Sequence, residues 1–223
     1  FRDHELLSAP GAIHLPVADF DGDGDLDIAT VFSQEEEEVW GFENLGNGRF
    51  RSRRLFFTVN FGIGSAGLVK SDLDGDGDVD LILPVGDDLE DQFATPQPYH
   101  GCLWLENKGN WTFETHRIAQ FGGTYAADAA DLDGDGDIDV VLVSMLNAQT
   151  YPQGASLIWL ENDGHQSFRA WRIAIEPTQL VTVACGDVDG DRVADIVTGR
   201  LNVMHPQVSS GGIDVWLNRG ESL

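Results

Sequence analysis

DLDGDGDVD, residues 72–80, is the stretch on which the fold turns. Five of its nine residues are Asp, at alternating positions, with Gly fourth and sixth. Carboxylates this crowded repel one another unless a cation sits among them. Gly at those places allows the tight, partly left-handed turn that wraps a chain around an ion. The pattern recurs as DFDGDGDLD at 19–27, DLDGDGDID at 131–139 and DVDGDRVAD at 187–195. The starts lie 53, 59 and 56 residues apart, which is the spacing of a repeated structural unit.

A second signature follows each loop: VWGFENLG at 39–46, LWLENKG at 103–109, IWLENDG at 158–164 and VWLNRG at 215–220. A Phe comes shortly after the first three, at Phe50, Phe113 and Phe168. Each unit thus holds four strand candidates. One runs into the Asp loop, one leaves it (LDIATVF, VDLILPV, IDVVLVS, ADIVTG), one carries the Trp and one starts at the Phe. The apolar runs are short and β-branched, with Gly and Asn punctuating the hairpins. Four-stranded units at this period predict an all-β fold, a β-propeller of four blades of four antiparallel strands. The repeats are expected at 1–49, 50–112, 113–167 and 168–223 of a single domain. Phe113 lies four residues after Gly109, and Phe1 fills the corresponding place after Gly220 if the ends meet. Residues 1–7 are therefore expected to pair with 212–218 and close the ring; the alternative is a four-blade portion of a larger propeller. The first residue is Phe1, not Met, which fits a removed leader or a piece of something longer.

Charge narrows the function. The chain has 38 Asp and Glu against 13 Lys and Arg, a formal −25, and 19 of those acids sit in the four loops. Such a surface repels nucleic acid and anionic membrane, so neither is expected as a partner. No stretch is long and apolar enough to insert in a membrane. Cys102 and Cys185 are the only cysteines; they make neither a disulfide framework nor a zinc or haem motif.

The expected ligands are loop positions 1, 3, 5 and 9, with the carbonyl of position 7. These are Asp19, Asp21, Asp23, Asp25 and Asp27; Asp72, Asp74, Asp76, Asp78 and Asp80; Asp131, Asp133, Asp135, Asp137 and Asp139; and Asp187, Asp189, Asp191, Val193 and Asp195. An all-oxygen set of this size suits Ca²⁺, three to four ions per chain. An EF-hand needs Glu at position 12, where this chain has Thr30, Leu83, Leu142 and Thr198, and strand rather than helix follows. The fourth loop departs from the others, with Arg192 in place of the second Gly.

Together, the DxDGDGxxD loops and the W-x-E-N-x-G hairpins resemble FG-GAP/VCBS repeats, of which the integrin α-subunit propeller is a relative. The resemblance covers the whole chain. It implies an extracellular, cell-surface or periplasmic propeller with one calcium per loop. Relatives often have seven blades, so four repeats depart from the pattern.

The loops between second and third strands vary in length, and such loops over a rigid scaffold are where binding resides. They present Tyr99, His100, Tyr151, Arg200 and His205 as a candidate ligand face. The leading expectation is a non-catalytic binding or scaffold module, or a subunit of a larger assembly, with a protein or carbohydrate ligand. The rival is a polysaccharide lyase or hydrolase using those side chains as base and electrophile. Trp40, Trp104, Trp159 and Trp216 are expected at one register, as inter-blade packing. His14, Lys70, Tyr125 and Asp128 are expected along a solvated central channel.

Overall fold

The computed structural model describes residues 1, 3–34, 36–60, 62–87, 95–146, 154–201 and 211–220. It forms 16 strands in four antiparallel sheets. The first holds β1 (Ala12–Ile13), β2 (Val17–Ala18), β3 (Asp27–Phe32), β4 (Glu38–Asn44) and β5 (Phe50–Phe57). The second is β6 (Val69–Ser71), β7 (Asp80–Val85), β8 (Gly101–Asn107) and β9 (Phe113–Gln120). The third is β10 (Thr124–Ala130), β11 (Asp139–Ser144), β12 (Leu157–Asn162) and β13 (Phe168–Ala174). The fourth has only β14 (Leu180–Gly186), β15 (Asp195–Arg200) and β16 (Gly212–Trp216). Within each sheet the strands lie in chain order, as a meander requires, and β1 and β2 share one edge of β3.

Burial follows position in the series. Every residue of β7 and β11 is buried, because these inner strands are covered on both faces by neighbouring sheets, which also explains their unbroken apolar runs. The outer strands β5 and β9 alternate between partly buried and exposed, as half-solvated strands do. Three hydrophobic clusters fill three junctions. Phe20, Val31, Val39, Leu83 and Leu105 join the first sheet to the second. Leu73, Ile82, Trp104, Leu142 and Leu160 join the second to the third. Leu132, Val143, Leu157 and Ile196 join the third to the fourth.

No such cluster joins the fourth sheet to the first among the described residues, and the expected closing strand is not formed. Residues 3–11 lie in no strand, Phe1, Leu6 and Leu7 are exposed, and β16 pairs with β15 alone. The cause is geometric. Gly11 O accepts from Ser33 N and β1 pairs with the far end of β3, so the N-terminal segment is tied to the first sheet, three junctions from β16.

The tryptophans also depart from one register. Trp40 faces Thr30, Trp104 faces Ile82, Trp159 faces Val141 and Trp216 faces Ile196. Counted from the last loop Asp, these partners are the third, second, second and first residues of the following strand, and a one-residue slip reverses the face. Trp104 and Trp159 therefore turn toward the next sheet. In the first sheet that place belongs to Gly41, and the Trp111 ring from the second sheet's hairpin fills it: a Cβ on Gly41 would lie 2.2 Å from Trp111 Cζ3. Packing is thus the role of these rings, reached by more than one route.

Polar residues of the first strands act as clamps between sheets. Lys70 Nζ donates to Val17 O at 2.6 Å, and Asp128 Oδ2 accepts from Cys185 N at 2.7 Å.

Candidate metal centres

Each Asp loop joins the first and second strands of its sheet, and its own backbone shapes it. In the first loop, position 1 accepts three N–H groups: Asp19 Oδ1 from Gly22 and Asp23, Oδ2 from Gly24. Asp21 Oδ1 then accepts from Asp23 N, and Asp23 Oδ1 from Asp25 N. Gly22 and Gly24 take φ of 76° and 95°, the left-handed region that a Cβ disfavours. The fourth loop keeps this shape without the second Gly. Arg192 adopts φ 75°, and its N–H donates to Asp187 Oδ2 at 2.9 Å.

Position 9 does more than its spacing suggested. Its Oδ2 accepts the N–H of position 2: Phe20 to Asp27, Leu73 to Asp80, Leu132 to Asp139 and Val188 to Asp195, all at 3.0 Å. Its Oδ1 accepts the N–H of the hairpin Asn: Asn44 and Asn107 at 2.7 Å, Asn162 and Asn218 at 2.8 Å. One buried carboxylate therefore fastens the loop to the third strand in every sheet. The same Asn reaches outward. Asn107 Nδ2 donates to Phe20 O at 2.8 Å, Asn162 Nδ2 to Leu73 O at 3.3 Å and Asn218 Nδ2 to Leu132 O at 2.6 Å. Each loop is thereby bonded to the next sheet.

Carboxylate oxygens within 4.8 Å of one another meet in each loop: Asp19, Asp21 and Asp27; Asp72, Asp74 and Asp76; Asp131, Asp133 and Asp139; Asp187, Asp189 and Asp195. Two oxygens on opposite sides of one Ca²⁺ lie about 4.6–5.2 Å apart, so the spacing fits such an ion. Two further observations fit a cation. Asp72 Oδ1 is buried without a hydrogen-bond partner, an arrangement that costs free energy unless the oxygen is ligated. Burial also pushes the Asp80 and Asp139 carboxyls up to about 6, and raises Asp27. A positive charge nearby relieves that penalty. Asp195 behaves oppositely: the N–H groups of Val188 and Asn218 hold it below its ordinary value.

The other expected ligands sit around these clusters. Asp135 Oδ1 and Asp191 Oδ1 accept the N–H of position 7, Asp137 and Val193, each at 2.9 Å. The Asp25 and Asp78 side chains are exposed. Sequence reasoning missed Arg219, whose Nη1 lies 3.5 Å from Asp189 Oδ2 and brings a competing positive charge to the fourth loop.

The candidate ligand face is not assembled among the described residues. Tyr151 and His205 lie outside them. His100 is buried, with Nδ1 accepting from Gln97 N and from Gly123 N at 3.0 Å. Burial, with Arg117 nearby, holds its imidazole down at about 4. Such a His is a neutral brace rather than a surface base. Tyr99 packs edge-on against His100, with centroids 5.1 Å apart, and Arg200 pairs with Asp214 at 3.0 Å.

A cleft of about 420 Å³ lies instead between the second and third sheets, lined by Trp104, Glu106, His116, Arg117 and Phe168 among others. His116 Nε2 lies 2.8 Å from Glu106 Oε2, and Lys108 pairs with the other oxygen of Glu106. Burial raises the Glu106 carboxyl, but Lys108 and His116 outweigh that and hold it low. The sequence signal was available: charged residues alternate along ETHR, facing the E of the WLEN hairpin.

Repeated four-stranded sheets, each with an acidic loop bonded to its neighbour, define a tandem-repeat protein with a carboxylate cluster in every unit. The family model described as "FG-GAP-like repeat" matches residues 19–83 and 86–142, more than half of the chain. The chain belongs to the FG-GAP-like repeat family. No curated protein sequence matches it significantly. Among solved structures it is similar to the V. cholerae biofilm matrix protein Bap1, at 18% identity and a TM-score of 0.49, over 83% of this chain and 24% of that one.

Proposed function

We propose that the chain is a non-catalytic, calcium-stabilised binding and scaffold module that works outside the cell, at a cell surface or in a periplasm. Its sheets are consecutive blades of a β-propeller. The carrying observation is the double role of position 9. A carboxylate that ties loop to hairpin, and through the Asn to the preceding sheet, makes each ion a structural rivet. The residues that would hold calcium are the clustered Asp of each loop, with the remaining position-5 carboxylates and the position-7 carbonyls completing the set. Calcium supplies charge neutralisation and fixed geometry; the chain supplies the preformed turn. Extracellular calcium levels and the absence of a switch helix favour a site that stays filled. The partner is a protein or carbohydrate, with the cleft beside Trp104, His116 and Phe168 available to it.

Metal analysis after exhaustive dialysis against calcium, followed by melting with and without chelator, tests this. Up to four calcium ions per chain are expected, one for each cluster, the fourth weakest. Each site filled at about 100 times its dissociation constant adds ~2.7 kcal/mol, so chelation lowers Tm strongly. Bound zinc, or a Tm indifferent to chelator, overturns the reading.

A further inference from the structure

Every junction between sheets is built the same way. An apolar residue at loop position 2 (Phe20, Leu73, Leu132) is buried under the next sheet. There it shares a cluster with position 8 of the following loop (Val79, Ile138, Ala194). The hairpin Asn of that following sheet donates to both carbonyls. Asn107 Nδ2 reaches Val79 O and Phe20 O, Asn162 Nδ2 reaches Ile138 O and Leu73 O, and Asn218 Nδ2 reaches Ala194 O and Leu132 O.

The two ends of the array carry the two unmatched halves of this junction. On the fourth sheet, Val188 at position 2 is 54% exposed. Ile213 is 77% exposed although its register counterparts Val39, Cys102 and Leu157 are all fully buried, and Val215 is 53% exposed where Trp104 is buried. No Asn reaches Val188 O among the described residues. On the first sheet, Leu26 at position 8 is 61% exposed, with Leu15 and Val17 open beside it. Asn44 Nδ2 makes the bond to its own position-8 carbonyl, Leu26 O, at 3.1 Å, and has no preceding sheet to bond. Phe32 and Phe42 are buried, so the open part of this end is the corner at the metal loop.

We propose that a second copy of this chain docks head to tail, the first sheet of one on the fourth sheet of the other. Leu26 seats against Val188, Ile213 and Val215 are covered, and Asn44 donates to Val188 O of the neighbour. The contact continues an interface used three times within the chain, and each end offers what the other lacks. It is heterologous, so it closes into a ring or extends as a chain according to its angle.

Sedimentation in calcium-containing buffer at physiological salt tests it. At about 100 μM, a Kd near 1 μM leaves little monomer, and species above the 24.3 kDa monomer are expected. Leu26→Asp and Ile213→Asp each place a charge in an apolar junction and each weaken association at least about tenfold, without lowering Tm because both sites are exposed. Mixing the two variants restores a dimer and nothing larger, since each still has one intact end. A wild-type protein that stays monomeric overturns the proposal. So does a mixture that stays monomeric, or a Leu26→Asp variant that assembles like wild type. Leu26→Cys/Val188→Cys supplies a separate readout. A disulfide between chains supports docking, whereas one within a single chain shows that the ends meet each other and overturns it. Ile213→Ser guards against misfolding of the Asp variant and has the same expected effect.

Discussion

At the scale of single residues, the loops show which contacts each repeat depends on. Asn107 is fully buried and makes four bonds, with Asp80, Gly109, Phe20 and Val79. Asn107→Ala keeps the backbone bond to Asp80 but strands two buried carbonyls, and each unsatisfied group costs about 1–3 kcal/mol. A loss of about 2–4 kcal/mol by chemical denaturation is expected, and a loss within error of zero contradicts the clamp. Arg192 tests the opposite sign. A side chain in the left-handed region costs about 1–2 kcal/mol, partly offset by the greater unfolded-state freedom of Gly. Arg192→Gly should stabilise the calcium-bound protein by about 1 kcal/mol and tighten the fourth ion, readable by calorimetric titration. The carboxylate ligands were legible in the sequence because alternation places them together whatever the tertiary fold. The second task of position 9 was not, because its partners Asn44, Asn107, Asn162 and Asn218 stand 17, 27, 23 and 23 residues away.

At the scale of strands and hairpins, the order of four strands per unit was readable from the Asp and Trp signatures. The register of the third strand was not. The Trp precedes its Asn by four residues in the first unit, three in the next two and two in the last, and the fixed point is the Asn. Sequence similarity at the Trp hid a change of face. Gly41 shows how packing absorbs that change, since Trp111 enters from the neighbouring hairpin and its Nε1 donates to Asp21 Oδ2 at 2.9 Å. Gly41→Ala must push that ring aside and break the bond, a cost of about 1–3 kcal/mol for overpacking. Trimming the ring relieves the clash, so Gly41→Ala with Trp111→Leu should be less damaging than the two single effects added together. Strict additivity in that cycle would show that the two positions do not meet. The candidate ligand face failed for a related reason: loop length says that a loop varies, but not whether a His in it points outward. His100 turns inward because Gly123 and Gln97 have N–H groups to satisfy.

At the scale of the whole molecule, the acidic loops give calcium and pH opposing effects on one structure. Asp80 and Asp139 are buried and titrate near 6, against an ordinary value of 3.8. A raised native pKa means that the folded chain binds the proton more tightly than the unfolded chain does. In metal-free protein these two groups therefore stabilise fully below about 4, and their contribution is lost as the pH rises through 6. Asp27 shifts the same way, while the lowered Asp195 acts only below its ordinary value, outside this window. Relief of the −25 net charge adds to the trend. With calcium bound the sign reverses, since a protonated carboxylate is no longer a ligand and acid must expel the ion. Between pH 7 and 5, Tm should rise or stay level in metal-free protein and fall in excess calcium. The two curves should approach each other toward pH 5 and separate toward neutrality. The calcium-dependent gap at pH 7 is the summed stabilisation of the filled loops, and its collapse near pH 5 follows from the same buried carboxylates that make the metal-free loops unfavourable at neutral pH. Parallel curves, with a gap that ignores pH, would mean that the ions are held by groups other than Asp27, Asp80 and Asp139.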